Sequence, residues 1–167
     1  MGYNVKQRRR GEEGKFLTFE DLEVYKEARE FRRKMYEVTR SLPAFEKFEL
    51  ASQVRRAAVS LTNNIAEGHG RYHFADQVRF FLAARGSLQE PIDDLNVCAD
   101  EEYVATGKLE ALKSQAWRVL SLINGFLRYL RDRKSQERSP VRETDTSSED
   151  EDAFILLDEA LHSIPIV

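Results

Sequence analysis

The residues of this 167-residue chain that could carry metal or covalent chemistry are three histidines, one cysteine and several paired carboxylates. His69 and His73 stand four apart near Glu67 and Asp76, a spacing that on one helix face would hold a cation between two imidazoles. Gly68 and Gly70 interrupt any helix that would align them, so a solvated loop is the preferred reading. Glu159-x-x-His162 has the form by which helical bundles hold two iron ions. That chemistry needs two such units with further carboxylates on facing helices, and the second unit is missing. Cys98 has no second cysteine or required histidine beside it and reads as a buried structural thiol rather than a nucleophile. Asp93-Asp94 and Asp100-Glu101-Glu102 are adjacent acids, the usual composition of a solvated surface. No glycine-rich phosphate loop or nucleophile elbow occurs. The expectation is a protein that is not an enzyme, with no metal and no cofactor.

Cations are the more informative set. The net charge of −3 conceals a strong division. Residues 135–167 hold nine acids against Arg138 and Arg142, a net −7, which leaves +4 on residues 1–134. Of that, +3 falls on the first fifteen residues, through Lys6, Arg8, Arg9, Arg10 and Lys15 against Glu12 and Glu13. The centre is close to neutral. Such asymmetry predicts a folded body with a basic arm and an acidic tail. One cysteine excludes a disulfide scaffold and points to a reducing compartment. No apolar run approaches the ~18–20 residues that span a bilayer, and no apolar stretch follows the basic N-terminus. The expectation is a cytoplasmic protein with no membrane partner.

Four segments with helical periodicity must position these charges. In the first, Leu22, Tyr25, Ala28, Arg32, Met35, Thr39 and Leu42 recur at three- and four-residue steps, widened by Phe31 and Val38. Arg32 is tolerable there only with its stem on apolar surface and its head in water. Thr18-x-x-Asp21 resembles a capping box, and Pro43 ends the segment. The second runs from about 46 to 67 on Leu50, Val54, Ala57, Ala58, Leu61 and Ile65, with Gly68 suited to a left-handed turn beyond it. The third runs from about 74 to 99 on Phe74, Val78, Phe81, Leu82, Leu88, Ile92 and Leu95. Pro91 predicts a kink in it, and Gly86-Ser87 a close backbone approach. The fourth runs from about 108 to 133 on Leu109, Leu112, Ala116, Val119, Leu120, Ile123, Leu127 and Leu130. No stretch alternates with period two. The reading is all-α, an antiparallel up-down-up-down four-helix bundle over residues 18–134. A flexible basic arm over 1–17 precedes it, and an acidic, largely disordered tail over 135–167 follows, with a short amphipathic segment at 153–162.

In that topology one end of the bundle gathers the basic arm with Arg8, Arg9 and Arg10, the connection bearing Arg71, and Arg128, Arg131, Arg133 and Lys134. Such a basic pole can neutralise several phosphates, with Tyr3, Tyr72 and Tyr129 near enough to stack on bases. For the last cluster two readings stand, since cations at a helix C-terminus also complement the macrodipole. Arg55 and Arg56 flank the buried Val54 and Ala57 and are assigned to a fold or oligomer interface, paired with Glu67 or Glu90. In the tail, Phe154, Ile155, Leu157 and Leu161 follow an acidic run and are candidate anchors for a protein partner. The tail also has the charge to fold back and shield the basic pole.

Four motifs, in order, resemble one family. They are Phe19-Glu20-Asp21-Leu22-Glu23-Val24-Tyr25-Lys26, Ser52-Gln53-Val54-Arg55-Arg56-Ala57-Ala58-Val59-Ser60, Asn64-Ile65-Ala66-Glu67-Gly68 and Ala84-Arg85-Gly86-Ser87-Leu88. Together, over residues 18–133, they resemble the four-helix-bundle proteins encoded in intervening sequences of bacterial 23S rRNA genes, which include the accessory variability protein of diversity-generating retroelements. The resemblance implies a homopentamer without enzymatic activity. In the retroelement branch it also implies binding to a reverse transcriptase and to RNA or DNA. Two functions follow as expectations. One is an oligomeric adaptor that binds nucleic acid, a partner enzyme, or both, through the basic pole. The other is a protein-only scaffold that recruits a partner through its acidic-hydrophobic tail.

Overall fold

A computed structural model describes residues 18–137. Their four helices are α1 (Glu23–Ser41), α2 (Leu50–Gly70), α3 (Phe74–Asp100) and α4 (Thr106–Glu137). Short 3-10 turns at Phe19–Asp21 and Ala44–Lys47 precede α1 and α2. No strand occurs among the described residues. Helix α4 continues through residues 135–137, which the sequence reading assigns to the tail; the basic arm and the rest of the acidic tail, with Arg8, Arg9, Arg10, Tyr3, Phe154, Ile155, Leu157 and Leu161, lie outside the described residues.

Each helix buries one apolar stripe, and the stripes meet in a single core containing Phe31, Met35, Leu61, Ile65, Phe81, Leu88, Leu95, Ile123 and Leu127. Burial of such side chains, at about 1.5–3 kcal/mol each, is what makes four marginal helices stable together. The stripe on α1 lies about one position from where the sequence spacing sets it. Val24, Ala28, Phe31, Met35 and Val38 are fully buried, while Leu22, Tyr25 and Leu42 only flank the core. The shift follows from Arg32. A guanidinium cannot occupy the centre of an apolar seam without a partner, so α1 turns it to the edge, where its Nη1 donates to Thr62 Oγ1 at 2.8 Å. Its head is thus held by α2 rather than given up to water.

Contacts between α2 and α3 run from Gln53 with Asp94, through Ser60 with Ser87, to Gly68 against Phe81. Those between α3 and α4 run from Asn96 with Lys113 to Phe81 with Phe126 and Phe74 with Lys134. In both, numbers fall on one helix as they rise on the next.

Several local expectations change. The Thr18–Asp21 box forms, with the Thr18 N–H donating to Asp21 Oδ2 at 3.0 Å, but it closes a 3-10 turn before α1. Gly68 does not end α2 in a left-handed turn, because the helix continues to Gly70. Its value is steric: a Cβ there would lie 2.9 Å from Phe81 Cδ2 and 3.0 Å from Phe80 Cβ. Gly86, expected at a fold or oligomer interface, is exposed and has none of the described residues of its own chain within 4 Å of a Cβ placed there, so no close approach within the chain uses it. The close approach belongs to Gly68. Helix α3 does continue through Pro91 without a break, as its apolar spacing on both sides predicts, and the buried ring offsets part of the lost hydrogen bond. After Asp100 the chain turns at Glu102, which has φ 54° without being glycine. The Tyr103 N–H then reaches back to the Cys98 carbonyl at 2.9 Å, closing the helix end.

Candidate nucleic-acid interface

The α2–α3 connection and the last turns of α4 enclose a cavity of about 280 Å³, lined by Tyr72, His73, Phe74, Gln77, Leu130, Arg133 and Lys134. Local structure explains each contribution. Gly70 ends α2, so Arg71 to His73 form a bend whose carbonyls need donors. Gln77, one turn into α3, supplies one: its Nε2 donates to the Arg71 carbonyl at 2.8 Å. Tyr72 is left 92% exposed, with its ring edge-to-face on His73 at 5.3 Å. On α4 the spacing of Leu130, Arg133 and Lys134 places them on the face turned to α3, and Lys134 Nζ stands 5.6 Å from the Phe74 ring centre. Cations and an exposed ring around one recess are a chemistry suited to phosphate and base together.

The expected basic cluster is only partly gathered here. Arg133 and Lys134 line the recess. Arg71 stands beside it, its guanidinium 4.7 Å over the Phe80 ring and ion-paired with Glu67 one helical turn earlier. Arg131 pairs with Asp132, through Nε at 3.3 Å. Arg128 is exposed on α4 and does not line the recess. Tyr129 packs against Phe126, ring centres 5.8 Å apart, at the edge of the core. Sequence reasoning missed His73, Phe74 and Gln77 as parts of this site. The signal was available: the first turn of a helix that follows a short connection faces the same end as the connection itself.

The pairing expected for Arg55 and Arg56 does not form. Arg55 Nη2 donates to the Lys47 carbonyl at 3.2 Å and Arg56 Nη1 to Ser52 Oγ at 2.6 Å. Glu67 is engaged by Arg71 instead. The reason is reach: Glu67 lies three helical turns beyond Arg56, about 16 Å along the axis.

Two titratable groups are buried in the α2–α3 region. Asp94 is pushed up to about 6, first by burial and then by the charges of Asp93 and Glu90, against an opposing hydrogen bond from Gln53. Its Oδ1 accepts that bond at 3.0 Å, while Oδ2 has no partner among the described residues. Burial, followed by Asp94 and Glu46, pushes the Cys98 thiol up to about 11, which agrees with a structural thiol. At the other end of the bundle, the Tyr103 hydroxyl donates to Glu46 Oε1 at 3.0 Å. Burial and this bond raise its pKa. Among the described residues no His, Cys, Asp or Glu cluster could hold a metal ion, and no helix is long and apolar enough to cross a membrane.

The family model described as 23S rRNA-intervening sequence protein matches residues 20–125 of the chain. No curated protein matches the chain.

Proposed function

Because the chain belongs to the 23S rRNA-intervening sequence protein family, we propose that it is a non-enzymatic adaptor that binds nucleic acid at the α2–α3 and α4 end of its bundle. The observation that carries this reading is the recess in which Arg133 and Lys134 stand with exposed Tyr72. Its logic is electrostatic. Phosphate contacts supply sequence-independent affinity, and an exposed aromatic ring adds stacking on a base, about 1–3 kcal/mol per base. The falling and rising contact pairs of α2, α3 and α4 support an up-down-up-down, antiparallel bundle, with α1 completing the square. The family resemblance adds a homopentamer and a partner enzyme such as a reverse transcriptase, and the single cysteine supports a cytoplasmic setting.

The test uses the full chain. Fluorescence anisotropy with labelled single- and double-stranded RNA and DNA, over a range of salt, should show binding that weakens as salt rises. The double variant Arg133→Glu/Lys134→Glu should lose about tenfold or more in affinity. Salt-insensitive binding, or a double variant that binds like the parent, overturns the reading. Light scattering of the same sample should return about five times the 19.4 kDa chain mass; a monomer overturns the pentamer.

A further inference from the structure

A second cationic surface lies away from that end, along the seam of α1 and α2. A cavity of about 460 Å³ includes Tyr36, Arg55, Arg56, Val59 and Asn63 in its lining. Another of about 410 Å³ includes Arg32, Arg33, Tyr36, Arg40 and Val59. Tyr36 and Val59 are common to both, so the two recesses run together as one groove. Arg32, Tyr36 and Arg40 repeat every four residues on α1, and Arg32 to Arg40 spans about 12 Å. The Arg32–Thr62 bond fixes the register between the helices. Arg32 and Arg33 therefore mark one end of the groove, Arg40 with Arg55 and Arg56 the other, and Tyr36 the middle.

What distinguishes this groove is how its guanidiniums are held. Arg32 donates to a threonine hydroxyl, Arg55 to a backbone carbonyl and Arg56 to a serine hydroxyl. Arg40 makes no hydrogen bond or ion pair among the described residues. Among the described residues only Arg33 of these five is ion-paired, with Glu30 at 2.9 Å, and Glu37 is the one carboxylate in the lining. A neutral acceptor orients a guanidinium but leaves its charge uncompensated. Five arginines thus face two carboxylates, and three of them are already pinned, which lowers the entropy lost when an anion binds. A row of positive charges about 12 Å long, partly pinned and on an open groove, suits a ligand with regularly repeated negative charge. The ring of Tyr36 midway along it favours a chain that also carries flat bases.

We propose that the α1–α2 groove is a second nucleic-acid site, in which the phosphodiester backbone of a single strand runs past Arg32, Arg40, Arg55 and Arg56 and a base meets Tyr36. It rests on the reading that this protein binds nucleic acid, but not on the recess at the α4 end. Contacts to four phosphates give a slope of log affinity against log salt of about −3, at about 0.7 per phosphate for a single strand.

Anisotropy of the full chain with a labelled single-stranded 20-nucleotide probe tests it. Arg40→Glu and Arg56→Glu, both at exposed positions, should each lower affinity about tenfold and flatten the salt slope by about 0.7. Lys108→Glu, an equal change of charge on α4 and outside the lining of the groove, should lower it less than twofold. Arg40→Gln and Arg56→Gln, which add no repulsion, should move in the same direction by a smaller factor, and circular dichroism checks that each variant folds. Loss with the groove variants but not with Arg133→Glu/Lys134→Glu keeps the groove and overturns the recess. Loss with the double variant alone does the reverse. Groove variants that match Lys108→Glu, or that keep the nucleic acid but lose a Glu/Asp-rich peptide, overturn the proposal. Absence of binding by the parent protein overturns both readings.

Discussion

The two cationic regions of this protein are built on different supports. At the α4 end, Arg71 and Lys134 stand over the rings of Phe80 and Phe74, and Arg71 and Arg131 have acidic partners close in sequence. In the α1–α2 groove, Arg32, Arg55 and Arg56 rest on hydroxyls and a carbonyl. Aromatic faces and carboxylates spend part of the charge they hold, whereas neutral acceptors leave all of it facing outward. Counting arginines therefore does not by itself give the charge that each region offers. The partner of each guanidinium decides how much positive potential reaches a ligand.

The comparison breaks most severely at Gly68, which lets the end of α2 lie on α3. Gly68→Leu should destabilise the fold by about 3 kcal/mol through overpacking on Phe81, read by urea unfolding. It should also weaken nucleic-acid binding at the α4 end more than at the groove, since Arg71 and the bend follow directly from that contact.

Next in size is Asp94, in the seam that fixes the two regions relative to each other. Its folded pKa lies above the unfolded one, so the folded state binds the proton more tightly. Its burial is thus a cost at pH 7 that is relieved as pH falls through 6 toward 4. Asp94→Asn keeps an acceptor for Gln53 and removes the charge. It should stabilise the protein by about 2 kcal/mol at pH 7 and abolish this residue's gain between pH 7 and 5, both measured as thermal midpoints. A variant less stable than the parent at pH 7 would show that the carboxylate is stabilised by something other than Gln53.

A smaller effect is expected at Arg32. Arg32→Met removes the bond to Thr62 and should cost about 1 kcal/mol in chemical denaturation, the sign that the groove's charge is structurally pinned. The smallest is at Arg118, which reaches Glu27 at 3.1 Å and Glu23 at 3.6 Å on an exposed surface. Arg118→Ala should change stability by less than about 1 kcal/mol, an effect that added salt reduces. An Arg118 effect equal to that of Arg32 would erase the distinction between a pinned and a surface guanidinium.

Much of the fold was legible in the residues. Leu50, Val54, Ala57, Ala58, Leu61 and Ile65 announce the buried face of α2, and Val119, Ile123, Leu127 and Leu130 that of α4, all of them buried as expected. Pro43 marks the end of α1. The site was less legible. Arg71, Arg133 and Lys134 do meet at one end, but Arg128 does not join the recess, and the pairing expected of Arg55 and Arg56 with Glu67 or Glu90 gives way to nearer neutral acceptors. Arg32 read as an awkward member of the core stripe, although its spacing with Tyr36 and Arg40 already described one side of a groove.

The amino-acid sequence by itself determined four amphipathic helices and the family to which the motifs belong, because helical periodicity and turn chemistry act over a few neighbouring residues. Only the tertiary structure decided which charges share a surface. The rotation of α1 that moves Arg32 out of the core, and the register that sets it against Thr62, are settled by packing between helices. A cation on one helix has no means of recording, in its own neighbourhood of sequence, which face of the next helix it will meet.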